Sequence, residues 1–311
     1  VYGRIDQDID RAIELLEKAR ETTLAENNKS HINLYVALGI KSRACLAEGD
    51  WDGAFKAAKR VIDEGGYAVG TKSDLTGGMN SLDKQNVMWG AGIQVADQAG
   101  GYAGFFTHMD NKEGAYAKSA PKLISKQLYN RISATDIRRD WWDPSDKESP
   151  YVSKKFSFAN VASFLGDYIY MRVEEMYFTA AEAALRLDDL KSARELMNTV
   201  MAERDPGYSA NNRSGTLLGA TTTTWTGSFL ENILTHRRIE LWGEYGRLFD
   251  VRRLGQGIDR RTDDGFSEEC ISMMNRRNVN ITKADTYDWV LTIPKAELDA
   301  NPNINEEDQN P

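Results

Sequence analysis

The side chains that most often do chemistry in enzymes are few and dispersed in this chain. The three histidines are His31, His108 and His236, and none belongs to an HExxH pattern, which places two zinc ligands on one helix face. The chain also lacks the GxSxG turn of hydrolases and the glycine-rich patterns that cradle nucleotide phosphates. Its two cysteines, Cys45 and Cys270, form no CxxC motif. We therefore predict no metal site, no cofactor and no nucleophilic centre.

Adjacent carboxylates are the remaining candidates for catalysis. They occur as the pairs Glu174-Glu175, Glu268-Glu269 and Glu306-Glu307. A glycosidase holds two carboxyl groups about 5–10 Å apart across the sugar bond that it cleaves. Neighbouring residues of a helix point in different directions, so these pairs are more typical of solvated helix faces. We predict that the protein is not an enzyme.

Aromatic residues alternate with glycines between residues 70 and 120. Val87-Met88-Trp89 predicts a short strand there, and the rest of this stretch indicates a long irregular loop. A second loop-like stretch, 205–228, contains four consecutive threonines that lead to Trp225. Loops of this length within a compact domain are usually functional or disordered.

Amphipathic helices must position these loops, and three are predicted in the first seventy residues. Apolar residues with a period of 3.6 run from Ile5 to Ala19, which indicates the first helix. Ser30 is the predicted N-cap of the second helix, which Gly49 stops, and Asp50 is the predicted N-cap of the third. Small alanines at the contact positions allow close approach of the helix axes, as in tetratricopeptide-type hairpins.

The same helical pattern returns later in the chain. Apolar stripes cover residues 173–187 and 193–200, on either side of Asp188-Asp189, and a further long helix is predicted from Phe229 to Gly246. Helical hairpin blocks are therefore expected at about 2–66, 169–204 and 228–254. Loop-rich segments are expected at about 70–168 and 205–227, within one domain that covers 1–311.

The overall composition excludes some function classes. The chain of 311 residues has 39 lysines and arginines against 47 acidic residues, and its formal net charge is −8. Nucleic-acid binding needs the opposite balance, so we expect no nucleic-acid partner. No apolar run approaches the roughly 18 residues of a membrane span. The chain begins at Val1 without a methionine or a signal peptide, and we expect it to be a fragment that has lost its targeting segment.

The run from His236 to Arg253, HRRIELWGEYGRLFDVRR, alternates charges at spacings of three and four. This spacing predicts a helix with internal ion pairs that leads into a turn with Arg–Asp contacts. The run also resembles the C-terminal signature ERR-x-EL-x-x-EG-x-R-x-x-D-L-x-R of the SusD/RagB family. Further segments are similar to motifs of the same family, and they lie at residues 8–13, 49–67, 120–139, 172–183 and 293–311. The chain departs from the family pattern at His236, Met201 and the Tyr245-Gly246 order.

The resemblance implies a mainly α fold, in which tetratricopeptide-like hairpins pack against an irregular loop-rich face. It further implies a lipoprotein at the outer-membrane surface that captures an oligosaccharide or another small nutrient. Such a protein works with a TonB-dependent (SusC-like) transporter. The lipid anchor would be a cysteine upstream of Val1, because Cys45 and Cys270 lie deep in the chain.

Carbohydrate binding without catalysis is the function that this resemblance favours. Sugar rings stack their apolar C–H faces on aromatic side chains, while their hydroxyl groups need polar partners. The candidate ligand-binding residues are Trp89, Tyr102, Phe105, Phe106, Asn111, Tyr116, Trp141, Trp142 and Trp225. These aromatic side chains could instead pack a satellite core beneath the loops. The alternative function is a helical-repeat module that binds another protein and no glycan.

Overall fold

The computed structural model describes residues 2–20, 28–97, 104–257 and 292–309. The first helical block consists of α1 (Tyr2–Arg20), α2 (Leu34–Glu48) and α3 (Trp51–Glu64). Gly49 ends α2 in the left-handed conformation (φ 90°), and the carboxylate of Asp50 caps α3, as predicted. The prediction of Ser30 as the N-cap of α2 is wrong. Asn33 has that role, because its side chain accepts a hydrogen bond from a backbone N–H in the first turn.

The second helical block packs against the first. It consists of α8 (Val173–Arg186), α9 (Leu190–Ala202) and α10 (Phe229–Glu240), and α8 contacts α3, α9 and α10. Small buried residues line these contacts, and they include Ala57, Ala58, Ala180, Ala181, Ala184 and Ala193. We name this apolar cluster the helical core. Its alanines let neighbouring helix axes approach closely.

The helix that was predicted to run from Phe229 to Gly246 is shorter than expected. It ends at Glu240, and a separate helix, α11 (Arg247–Arg253), follows after a turn. Gly243 and Gly246 have φ values of 74° and 96° in this turn. These left-handed conformations are easily adopted by glycine and interrupt the helix. We name residues 241–246 the hinge turn.

The loop-rich segment contains short elements only. Its helices are α4 (Lys72–Thr76), α5 (Phe105–Met109), α6 (Ala115–Ser119) and α7 (Lys126–Tyr129). Its strands are β1 (Val87–Ala91), β2 (Trp142–Asp143), β3 (Val152–Ser153) and β4 (Tyr168–Arg172). β1 pairs antiparallel with β4, and β2 pairs antiparallel with β3. β1 includes the predicted strand, and β4 leads directly into α8, so this sheet joins the loop-rich segment to the helical block.

A second apolar cluster lies beneath the loops and is mainly aromatic. Its buried members include Phe106, Tyr129, Trp141, Trp142, Phe156 and Phe158. We name it the aromatic core. The sequence thus produces two cores of different composition, one of small aliphatic residues between helices and one of large rings under loops.

The C-terminal described segment contains α12 (Lys295–Ala300) and a short 3₁₀ helix (Glu306–Asp308). No helix within the described residues combines the length and the apolar character that crossing a bilayer requires. The described structure is mainly helical with a loop-rich region beside the hairpins, as predicted.

Candidate ligand-binding cleft

Three of the predicted ligand-binding residues belong to the aromatic core. Phe106, Trp141 and Trp142 are each at most 3% exposed, and the indole N–H of Trp141 donates to the carbonyl oxygen of Leu75. Their ring faces are covered by protein, so the prediction that they contact a ligand is corrected to a packing role. Phe105 is half-buried and packs edge-on against Phe106 and Phe156.

Asn111 also has a structural role that the sequence did not indicate. Its amide nitrogen donates to the carbonyl oxygen of Ser153 at 2.8 Å, and its amide oxygen accepts from the backbone N–H of Lys122 at 2.8 Å. Both ends of the side chain therefore hold backbone segments together. One of these segments carries Leu123 to the surface.

Two predicted residues present rings at the surface of the loop-rich region. Tyr116 is 42% exposed, and its ring stacks on His108 with centroids 4.7 Å apart. Trp89 is half-buried in β1 and packs edge-on against Tyr170, which is also 42% exposed. Tyr170 was missed in the sequence because it precedes the Arg172 motif and lies outside the glycine-rich stretch.

Trp225 lies in the loop before α10. The guanidinium of Arg131 covers one face of its ring at 4.3 Å from the centroid, and Arg131 is itself held by Glu231 at 2.8 Å. Trp225 also lines a small depression together with Thr222 and Arg238. The predicted residue Tyr102 lies outside the described residues.

A cleft of about 440 Å³ lies between the loop-rich region and the hinge turn. This volume falls in the usual range for small-molecule sites, about 300–1,000 Å³. Its apolar lining comprises Met109, Leu123, Leu128, Leu241, Trp242 and Tyr245, and its polar lining comprises Ser125, Thr222, Arg237, Arg238, Glu244, Arg247 and Asp250. We name it the junction cleft. It shares Thr222, Arg238 and Arg247 with the depression that contains Trp225.

Two rings of the aromatic core, one of them the predicted residue Trp142, pack against Trp242 in the lining of the junction cleft. Trp142 packs edge-on against Trp242 with centroids 5.7 Å apart, and Phe156 stacks on the same ring at 6.5 Å. The aromatic core therefore positions a ring that lines the cleft. Trp242 and Tyr245 were missed as binding candidates because their motif predicted a continuous helix, whereas the two glycines turn the chain towards the cleft.

Both carboxylates of the junction cleft are held by cations. Glu244 accepts from Lys155 at 2.5 Å and from Arg172 at 2.8 Å, and Asp250 accepts from Arg237 at 3.0 Å and from Arg253 at 2.9 Å. Burial alone would raise the pKa of both acids, but the neighbouring cations outweigh it and hold each pKa below its ordinary value. Both acids therefore stay ionised at neutral pH.

A buried charge network lies beneath the cleft. Glu240 accepts hydrogen bonds from Arg138, Arg172 and Arg204 at distances of 2.9–3.1 Å. Although burial raises its pKa, the three guanidinium charges outweigh burial and hold the pKa well below the ordinary value. His236 lies beside Arg138, and burial and that positive charge together lower its pKa well below 6.5.

A second groove, of about 360 Å³, lies on the helical side of the hinge turn and shares Arg237, Tyr245 and Asp250 with the junction cleft. It is lined mainly by apolar side chains of α1, α2 and α11, among them Ile5, Ile40 and Phe249. Within the described ranges, no group of three or more His, Cys, Asp or Glu side chains is arranged to hold a metal ion.

A family model and several solved structures are similar to this chain. The model of the SusD family matches residues 107–311. A SusD-like carbohydrate binding protein from Bacteroides vulgatus has 28% identity and a TM-score of 0.62, and the alignment covers 81% of this chain and 52% of that protein. No curated protein matches the chain.

Two further solved structures show the same fold. A SusD superfamily protein from Bacteroides thetaiotaomicron has 23% identity and a TM-score of 0.72, over 98% of this chain and 66% of that one. A putative sugar binding protein from Bacteroides vulgatus has 23% identity and a TM-score of 0.67, over 97% of this chain and 64% of that one. This chain therefore spans about half to two thirds of the length of these proteins. The predicted fold class and the predicted family are both confirmed.

Proposed function

The chain belongs to the SusD family, and from this premise we propose that it binds an oligosaccharide in the junction cleft without cleaving it. The composition of the cleft is the observation that carries the proposal. It combines the ring of Trp242 and the part of Tyr245 that Arg43 leaves uncovered with the hydroxyl groups of Ser125 and Thr222 and the guanidinium of Arg238. Sugar rings need both kinds of partner, since their C–H faces are apolar and their hydroxyl groups are polar.

The two cleft carboxylates support binding over catalysis. A glycosidase needs a protonated carboxyl as general acid, and such a group has a raised pKa. The pKa values of Glu244 and Asp250 are instead lowered. Every oxygen of both carboxylates accepts a hydrogen bond from lysine or arginine. Neither group is therefore suited to protonate a leaving group or to attack a sugar.

The exposed aromatic residues outside the cleft extend the proposal. Trp225 lies in the adjoining depression, where it could meet a second sugar unit of the same ligand. Tyr116 and the Trp89–Tyr170 pair offer further ring surfaces on the loop-rich side. We include these residues as secondary contacts, with the cleft as the principal site.

The biological setting is part of the same proposal. Family membership favours a lipid-anchored protein at the outer-membrane surface, which delivers its ligand to a TonB-dependent transporter of the SusC type. One relative at 28% identity is described as a SusD-like carbohydrate binding protein, which supports a sugar as the ligand.

Isothermal titration with linear oligosaccharides tests the function. The panel consists of maltohexaose, cellohexaose, xylohexaose and mannohexaose, and at least one should bind. Trp242→Leu and Tyr245→Leu remove the rings but keep apolar volume, and each should weaken binding about tenfold or more. Tyr2→Leu, an exposed aromatic residue on α1, is the matched control and should bind like the parent.

Two outcomes would overturn the proposal. Equal affinity of the parent and both cleft variants would place the site elsewhere. Steady release of reducing ends during incubation with a bound sugar would show catalysis.

A further inference from the structure

The hinge turn forms one wall of the junction cleft, and a single buried ammonium group anchors it. The side chain of Lys155 is fully buried and lies between the β2–β3 region and the end of α10. Its Nζ donates to the carbonyl oxygen of Glu240 at 2.7 Å, to the carbonyl oxygen of Trp242 at 2.8 Å and to the carboxylate of Glu244 at 2.5 Å. Three separate points of the chain around the turn are thus held by one cation.

The groups that surround this ammonium are rings and charges from several elements. Trp141 and Phe156 place their rings 4.5 Å and 5.1 Å from Nζ. The charged groups that face it are Glu244 in the hinge turn, Glu240 at the end of α10 and Arg172 at the end of β4. The buried ring of Trp141 therefore helps to hold the cation in place through a cation–π contact.

We infer that Lys155 is a positioning residue for ligand binding, because it fixes the hinge turn that carries Trp242 and Tyr245 into the junction cleft. This inference rests on the proposed function of the cleft. Lys155 does not line the cleft itself and acts through the turn. A ring must be held at a fixed place and angle before a sugar arrives, since ordering it during binding would cost affinity.

The number of donors makes the anchor dependent on the charge of Lys155. An ammonium has three N–H donors, and here all three have acceptors. A neutral amine has two N–H donors, so loss of the proton releases at least one of the three contacts. Burial lowers the pKa of Lys155 to about 8, although Glu244 opposes this shift. The anchor is therefore intact at pH 7 and weakened at pH 9.

Hydrogen exchange tests the anchor without any ligand. Lys155→Met keeps the length of the side chain and removes the ammonium, and Lys154→Met changes the neighbouring lysine, whose side chain is 54% exposed. Exchange measured by mass spectrometry for peptides covering 241–247 should be about tenfold faster in Lys155→Met than in Lys154→Met. Peptides covering α8 should exchange at the same rate in both variants. Equal rates across 241–247 would overturn the positioning role, whatever the protein binds.

A pH titration of ligand affinity supplies the second test and needs no mutation. The probe is the hexasaccharide that the parent protein binds best at pH 7. Affinity of the parent should fall about tenfold between pH 7 and pH 9, with a midpoint near the lowered pKa of about 8. Lys155→Met should bind weakly at pH 7 and show no such midpoint, whereas Lys154→Met should follow the parent.

Failure of the proposed function and failure of the positioning role of Lys155 give different results. A parent protein that binds no member of the panel contradicts the proposed function, while the exchange result still decides the role of Lys155. Strong binding by Lys155→Met, with the same pH profile as the parent, contradicts the positioning role and leaves the proposed function intact.

Discussion

The helical core and the aromatic core differ in how their backbone groups are hydrogen-bonded and in the size of the side chains that fill them. Helices satisfy their own backbone hydrogen bonds, so small residues such as Ala58 and Ala180 suffice between them and the axes can lie close together. The loops of the other region leave backbone groups unpaired, and side chains complete the bonding. Asn80 donates to the carbonyl oxygen of Ser157, and Trp141 donates to that of Leu75.

The junction between the two cores is charged, and the cleft lies there. Glu240 at the end of α10 contacts Arg138 from the loop-rich region, Arg172 from β4 and Arg204 after α9. All four side chains are completely buried. The comparison indicates that the ion pairs of Glu240 join the helical block to the loop-rich block. We name this buried charge network the seam, and the proposed ligand site lies above it.

The largest expected effect comes from breaking this seam. Glu240→Gln leaves three buried guanidinium groups without their shared carboxylate, which should lower the free energy of unfolding by about 3–5 kcal/mol. Urea denaturation monitored by circular dichroism measures this change. Glu64→Gln is the control, since its ion pair with Arg60 is on the surface and should contribute at most about 1 kcal/mol. A loss below 1 kcal/mol in Glu240→Gln would show that the two cores hold together without the seam.

A smaller effect tests the close approach of the helices. Ala180→Leu adds volume to α8 where the side chain is fully buried, and we expect a loss of about 1–3 kcal/mol from overpacking. Ala115→Leu makes the same change at an exposed position of α6, and it should change stability by less than about 0.5 kcal/mol. The same denaturation assay compares the two. If Ala180→Leu were as stable as the parent, the helical core would contain space that the close-approach interpretation excludes.

The smallest effect is the pH dependence of the seam. His236 is buried with a pKa well below 6.5, so the unfolded chain binds a proton below pH 6.5 that the folded chain does not. Stability should therefore be complete above pH 6.5 and fall as the pH is lowered towards 5, by about 1–2 kcal/mol. His236→Gln should flatten this fall between pH 7 and pH 5, whereas His31→Gln, at an exposed position, should not. An unchanged slope in His236→Gln would assign the pH dependence to other groups.

The sequence predicts the helical block well because helix formation depends on residues that are close together in the chain. The spacing of apolar residues indicates α1, α3 and α8, and Asp50 acts as the predicted cap. The prediction fails after Glu240, where Gly243 and Gly246 adopt left-handed conformations and the helix ends despite its charge pattern. The backbone angles of a glycine depend on the surrounding fold, and one sequence does not reveal them.

The candidate site is less predictable than the fold. Aromatic composition identifies Trp141 and Trp142 as important, but it cannot separate a ring that packs from a ring that binds. Only the tertiary arrangement places Trp142 against Trp242, which comes about a hundred residues later in the chain. The buried cation of Lys155 gives no sequence signal at all, since lysine side chains are usually exposed and the adjacent Lys154 is.

Fluorine NMR of the 5-fluorotryptophan-labelled protein tests the location of the ligand most directly. Single Trp→Phe variants assign the signals, and the labelled protein is titrated with the hexasaccharide that binds best. We predict that the Trp242 signal shifts most, because this ring lines the junction cleft, while the signal of Trp51 on α3 stays unchanged. A saturable shift of Trp51 with no change at Trp242 would contradict the account and place the ligand on the helical side.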